Sequence, residues 1–490
     1  FLSSIMMIFE RRQRSILSAV LLAFFAASHT ANATLKLDRG HDVEESGRSL
    51  NDGHGHGEDL PFKNNPCGVF NESATSSAKT AASSPACPDG ILTKRVVVVG
   101  AGVAGLTAAK RLVLGGQDMD CTELHVTLLE ASDAIGGRIA KDTTFTEFTF
   151  DLGASWVYDK ALLKYITQDD GILRKVSDQL VSLYELPDYD GDYFLSESGP
   201  HSNPKRFDLL WGNNFTWWDF LNEHVSSGIP SESIVYGCPV HTIQQKPSTG
   251  EIMVACGDKS NNNERTFIAD HVIVTSSLSI LLKEGTMIFD PPLPEFILEG
   301  RKPLVTGFKM YIEFSQKFYV DFANVGPAWL DTSVVQTLER TSPNVLCATA
   351  YHLSNKALRQ MDDNDFLNIV LNELDQLYGY HGYKIATRSY QRHVTRVLSP
   401  ESAPYLGGMY PRDYANNPTA GPQEAWPAFQ LIVAGDAFPI PNSRPGWADT
   451  AALSGMHASE QILNEIDRDG DHFTIPESIW AQRVNWSYLS

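Results

Sequence analysis

The chemistry in this sequence begins at a run of glycines. Gly100-Ala101-Gly102-Val103-Ala104-Gly105 stands between the β-branched run "RVVVVG" and the apolar, helically spaced segment "AGVAGLTAAKRLVLGG". Gly100 permits a tight turn, and Gly102 lets a diphosphate approach the backbone. Gly105 allows the helix to pack closely on a sheet, and the helix N-terminus attracts phosphate. Glu130 closes the next strand, "LHVTLLE", where a carboxylate accepts from ribose hydroxyls. The polar insert "GGQDMDCTE" stretches the gap between Gly105 and Glu130. The unit reads as dinucleotide binding, with a purely structural βαβ turn as the alternative.

A second candidate is Lys309, inside "TGFKMYIEF". Alternation puts Thr306, Phe308, Met310, Ile312 and Phe314 on one face of a strand, and Gly307, Lys309, Tyr311 and Glu313 on the other. Taken alone, that pattern describes a half-exposed antiparallel strand with Lys309 in water.

The elements that position these residues follow from the pattern around them. "RVVVVG" suits a strand buried on both faces, the next segment a helix ending at Gly115 and Gly116, and "LHVTLLE" a second parallel strand. Nothing before about residue 90 has such periodicity. Residues 34–90 are rich in Ser, Asp, Gly, Ala and His and read as a disordered linker. Basic Arg11, Arg12 and Arg14, the apolar run "ILSAVLLAFFAA" and the small residues "ANA" predict a signal peptide over 1–33, cleaved after Ala33. The start is expected at Met6 or Met7, or upstream of a truncated sequence. No other segment is a transmembrane candidate.

At 490 residues, with 42% hydrophobic and 10% aromatic residues, the chain can hold two or three domains with a sizeable core. A formal net charge of −20 argues against nucleic acid and is compatible with a cationic substrate. In a secreted chain the cysteines Cys67, Cys87, Cys121, Cys238, Cys256 and Cys347 permit disulfides, with Cys67 and Cys87 a plausible pair by proximity. Their spacing fits no zinc site. His54 and His56 in "GHGHG" read as a loop and "DRDGD" from Asp467 as a turn, so no metal is expected. Asn71, Asn214 and Asn485 are glycosylation acceptors by pattern.

Further segments carry a resemblance. "LLEASDAIGGRI" and "DLGASWVY" resemble the flavin-binding signature of the flavin-containing amine oxidases, as do "GCPVHTIQQ", "ADHVIVTSSLSIL" and "LIVAGDAF" through "RPGWADTAALSGMHASEQIL". The resemblance runs from about residue 94 to 465. It implies an α/β fold in which a discontinuous Rossmann-like domain binds FAD, beside a mixed-sheet α+β substrate domain. The expected cofactor-binding residues, besides the glycine turn with Ala104 and Glu130, are Ala131, Gly137, Arg138 near the diphosphate, and Gly153, Ala154, Ser155 and Trp156 along the flavin. Val240 would border the adenine, and Gly435 and Asp436 the ribityl–diphosphate region. A helix starting near Trp447 and Ala448 would aim its N-terminus at the flavin ring, favouring the electron-rich reduced form.

By the same resemblance Lys309 holds a water near flavin N5, and Tyr410 and Trp447 form two aromatic walls that guide an amine. Met409 occupies the place of the cysteine that links flavin covalently in monoamine oxidases, so FAD is expected to bind non-covalently. His393 stands where many relatives carry tryptophan, and Tyr158, beside Asp159, replaces a glutamate of polyamine oxidases. The implied domains are 91–160, 230–300 and 425–466 for FAD, 161–229 and 301–424 for substrate, and 467–490 as a tail. The implied function is oxidation of a primary or secondary amine, polyamines included, with hydride transfer to flavin, peroxide formation from O2 and imine hydrolysis. The location is secreted or the endomembrane lumen, without a membrane span once the signal is removed, and the oligomeric state is open. Alternatives are an L-amino-acid oxidase, a porphyrinogen or carotenoid oxidase, and a flavoprotein that has lost catalysis and serves in binding.

Overall fold

The computed structural model describes residues 87 and 90–467, apart from 146–148, 158–159, 183–191, 197–198, 204–208, 213, 259–262, 319–327, 331–336, 343, 351–360, 379–381, 412–429 and 441–445. All of these lie in the compact unit Ala81–Ser490. The expected signal peptide, nearly all of the expected linker, Cys67, His54, His56, Asn71, Tyr158, Asp159, Asn485 and nearly all of the expected tail lie outside the described residues.

The glycine-flanked unit forms as its pattern dictates. β1 (Leu92–Val99), α1 (Val103–Gln117) and β2 (Thr122–Leu129) build a βαβ crossover, with Val96 through Val99 buried. β3 (Ile234–Val235) extends the edge beside β2. β4 (Val240–Gln245), β5 (Ile252–Asp258) and β6 (Asn263–Ala269) form an antiparallel meander, and β7 (His271–Val274) returns to pair with β1. β8 (Ile288–Asp290) then pairs in parallel with β4.

Further along lie β9 (Gly307–Phe314), β10 (Val345–Ala350), α2 (Asp363–Tyr378), β11 (Tyr390–Leu398), β12 (Leu431–Val433) and α3 (Ala448–Ile466). The resulting parallel sheet runs β3-β2-β1-β7-β12. One of its faces buries Val96, Val98 and Leu128 in a core shared with α1 and α3. The other buries Val97, Val99 and Leu129 against Val240, Ile243, Ile252 and Val254 of the meander. A β-branched run buried on both faces is the outcome expected of a central parallel strand.

Two of the close approaches that require glycine hold α1 in place. A Cβ at Gly105 would lie 1.8 Å from the Gly100 carbonyl oxygen, and one at Gly455 would lie 2.0 Å from that of Ala104. The second contact sets the crossing of α3 over α1, where Thr107 also donates to Ala452 O at 3.1 Å.

β9 sits between β10 and β11 in a seven-stranded mixed sheet. Phe308, Met310, Ile312 and Phe314 pack with Phe366, Val370 and Leu374 of α2. The opposite face is buried too: Lys309 is only 5% exposed, and Tyr311 stacks on Phe150 with ring centroids 4.6 Å apart. A solvated polar face, which alternation alone suggests, is therefore wrong for this strand, because Phe145 and the segment from Phe150 to Ser155 cover it.

The expected Cys67–Cys87 pair is also wrong. Cys87 bonds Cys121, and Cys238 bonds Cys256. The chain enters β1 alongside the start of β2, with Leu92 paired to Thr122 and its N–H donating to Cys121 O at 2.9 Å, so Cys121 is the near neighbour in space.

Candidate active site

The turn after β1 is fixed first. Gly100 has φ +99°, a left-handed conformation that favours glycine. Glu130, 7% exposed at the end of β2, accepts from Ala101 N–H at 2.7 Å through one oxygen. Through the other it accepts from Ser132 N–H at 2.8 Å and Ser132 Oγ–H at 2.7 Å. Its backbone carbonyl accepts from Cys238 N–H at 2.8 Å, which ties Glu130 to the approach to Val240, itself 8% exposed.

Gly102 is the N-cap of α1, and no side chain caps the helix there. A Cβ on Gly102 would meet nothing within 4 Å, and one on Gly435 would likewise meet open space. Space beside an uncapped helix N-terminus, in reach of glycine backbone, fits a dinucleotide diphosphate.

A second loop lies against this turn. Gly102 bridges to Gly136, and Gly137 has φ +60°. Half-buried Ala131 leads into this loop. Arg138 then crosses to the far end of the chain. Its Nη1 donates to Asp436 Oδ2 at 2.7 Å and to Met409 O at 3.2 Å, and its Nη2 donates to the other Asp436 oxygen. A bidentate guanidinium–carboxylate pair fixes geometry as well as charge. Asp436 is 5% exposed, and its backbone carbonyl accepts from Gly446 N–H at 3.1 Å, next to Trp447, the N-cap of α3. Met409 N–H donates to Val305 O at 2.7 Å, and Val305 N–H to Tyr410 O at 2.9 Å, which brings Tyr410 to the entry of β9. Tyr410, Trp447 and Ala448 are all half-buried. Burial pushes the Tyr410 phenol above its ordinary range.

Lys309 completes the constellation from the sheet. Its Nζ donates to Gly153 O at 3.2 Å and to Ser155 Oγ. Gly153, Ala154, Ser155 and Trp156 are half-buried, and Trp217 Nε1–H donates to Trp156 O at 2.9 Å. Asp151 begins this segment. Burial drives its carboxyl up to about 8, opposed by Lys309, by the Trp217 N–H that it accepts at 3.0 Å and by Lys141, while Asp219 pushes it further up. Tyr311 Oη–H donates to Asp151 O at 2.9 Å. Sequence reasoning gave Asp151 no role, although it opens the motif "DLGASWVY".

His393 does not belong to this group. It pairs with Ile312 and so shares the face turned to α2, because residues directly opposite in an antiparallel pair point the same way. Its Nδ1 lies 2.9 Å from Tyr390 Oη and its Nε2 3.1 Å from Asp363 Oδ2. Arg396 is the residue opposite Lys309, and no sequence signal marked it. Among the described residues no group of three or more His, Cys, Asp or Glu could hold a metal ion, and no helix is long and apolar enough to cross a membrane.

Comparison with known proteins gives a consistent picture. The family model described as flavin containing amine oxidoreductase matches residues 211–463, more than half of the chain, and that of an NAD(P)-binding Rossmann-like domain matches 98–166. The peroxisomal N(1)-acetyl-spermine/spermidine oxidase of Homo sapiens is 25% identical, over 80% of this chain and 96% of the relative. Polyamine oxidase 1 of Zea mays is 51% identical over a short stretch, 13% of this chain and 11% of the relative. Among solved structures, putrescine oxidase (wild type bound to putrescine) superposes with a TM-score of 0.53 at 14% identity, covering 76% of this chain and 99% of the other. That last likeness concerns the fold.

Proposed function

We propose an activity from one premise: the chain belongs to the flavin-containing amine oxidoreductase family. It is an FAD-dependent oxidoreductase acting on CH–NH or CH–NH2 groups. Our reading is that it oxidises a primary or secondary amine of a polyamine or acetylated polyamine. The names of its human and maize relatives and its net charge of −20, which attracts cations, support that substrate class. When bound, FAD supplies the acceptor for a hydride equivalent from the carbon next to the amine nitrogen, and O2 reoxidises it with release of hydrogen peroxide.

The chain's own residues bind, orient and screen. Gly102 and the N-terminus of α1 would take the diphosphate, with Arg138 and Asp436 holding the loops around it, Glu130 the ribose and Val240 the adenine. Gly153 through Trp156 would line the flavin. Met409 has a thioether in place of a flavin-linking thiol, so FAD would be held non-covalently. Tyr410 and Trp447 would present aromatic faces to the amine. Lys309, withdrawn from bulk water, would hold an ammonium proton and a water at the reacting edge. The imine formed from the substrate would then be hydrolysed by water.

We read the parallel sheet with its meander as the FAD lobe and the seven-stranded sheet as the substrate lobe. The disulfides Cys87–Cys121 and Cys238–Cys256 support passage through an oxidising compartment, in keeping with the expected signal peptide. The human relative, by contrast, is named as peroxisomal.

The observation that carries this reading is the buried Lys309 ammonium bonded to Gly153 O and Ser155 Oγ. The test is peroxide release over a panel of spermine, spermidine, N1-acetylspermine, putrescine, monoamines and L-amino acids. Turnover on the polyamines is expected, whereas turnover on L-amino acids alone would replace the substrate assignment.

A further inference from the structure

Arg396 has a setting that the reading above does not use. It lies opposite Lys309 across the β9–β11 pair, on the inward face of the sheet. Its Nη1 donates to Arg138 O at 2.7 Å and to Leu152 O at 3.4 Å, and its Nη2 donates to Gly137 O at 2.8 Å. These acceptors are backbone carbonyls of the two loops that carry Arg138 and Gly153. The guanidinium fork suits two successive carbonyls in a way that a lysine ammonium does not.

Among the described residues no anion is paired with this charge. Burial pushes the guanidinium down to about 10, and the neighbouring charge acting on it is another cation, Arg138, which lowers it further. Asp436 is already engaged in both oxygens by Arg138. A half-buried cation that meets only carbonyls among the described residues is costly to hold unless an anion lies nearby. Such an anion is what the open space at Gly102 and Gly435 accommodates.

We propose that Arg396 is a positioning residue for the cofactor diphosphate. It ties the Gly137–Arg138 and Leu152–Gly153 loops to the sheet that bears Lys309, and the diphosphate supplies a counter-charge that the described residues do not. The inference rests on FAD as the occupant of the site and adds a residue that reaches it through the loops rather than by contact.

The test uses the as-purified holoenzyme and the variants Arg396→Lys and Arg396→Met. The readouts are the rate of FAD release on dilution, followed by the rise in flavin fluorescence, and the visible spectrum of the bound flavin. Arg396→Met is expected to release FAD at least about tenfold faster, the scale of losing charge-assisted hydrogen bonds. Arg396→Lys should fall between the two, because charge is kept and the fork is lost. Should the methionine variant fail to fold, the lysine variant decides alone: faster release and a shifted spectrum support the proposal. Release and spectra equal to wild type, with only a lower melting temperature, would overturn it and leave Arg396 a structural tie. A wild-type chain that neither carries nor takes up FAD would instead defeat the cofactor reading itself.

Discussion

At the scale of single residues, Lys309 and Asp151 define what is unusual here. Lys309 is 5% exposed and its ammonium is bonded to Gly153 O and Ser155 Oγ, which sets it apart from a surface lysine. Lys309→Met should leave flavin bound while slowing its reduction or reoxidation by about 100-fold, the range of a lost proton-handling group. Stopped-flow absorbance of each half-reaction checks this, and unchanged rates would reduce Lys309 to a packing role. Asp151 gives a pH signature. Burial holds its carboxyl at about 8 in the folded chain against an ordinary value of 3.8, so the folded state binds more protons between those values. Its contribution to stability is thus fully present below the lower value and is lost as pH rises through the upper one. Melting temperatures of Asp151→Asn and wild type, compared across that window, should show wild type losing ground to the variant as pH rises. The motif around Asp151 was legible in the sequence. Its burial was not, because the segments that cover it, around Trp217 and Tyr311, are distant in the chain.

At the scale of elements, the β1-α1-β2 unit was readable because its glycines and apolar spacing are local. Its consequences are testable one glycine at a time. A methyl group on Gly102 meets open space in the protein, so Gly102→Ala should lower the melting temperature of the flavin-free chain only by the small cost of alanine at an N-cap, while weakening FAD binding more strongly. Gly455→Ala places its Cβ against the backbone of Ala104, which cannot swing aside. That variant should lose about 1–3 kcal/mol by overpacking, measured by denaturant unfolding. What the sequence could not show was register. Only the pairing of β9 with β11 puts Arg396 with Lys309 and turns His393 toward α2. Only the meeting of the chain entry with the start of β2 selects Cys121 for Cys87. Both depend on contacts between distant segments, for which alternation and proximity in sequence are silent.

At the scale of the whole molecule, the parallel sheet, its two helices and the meander hold the glycine turn, Glu130, Arg138 and Asp436 together, while the mixed sheet delivers Lys309. The net charge of −20 acts on top of this. If the substrate is a polycation, its KM should rise with ionic strength as the field is screened, whereas that of a neutral amine should not. The central claim is that this chain moves a hydride equivalent from an amine to bound FAD. Its most direct test is anaerobic mixing of the purified holoenzyme with spermine, N1-acetylspermine and putrescine while the visible flavin absorbance is followed. The expected result is bleaching by at least one polyamine, and recovery with peroxide release once O2 is admitted. A yellow protein that no amine bleaches would contradict it.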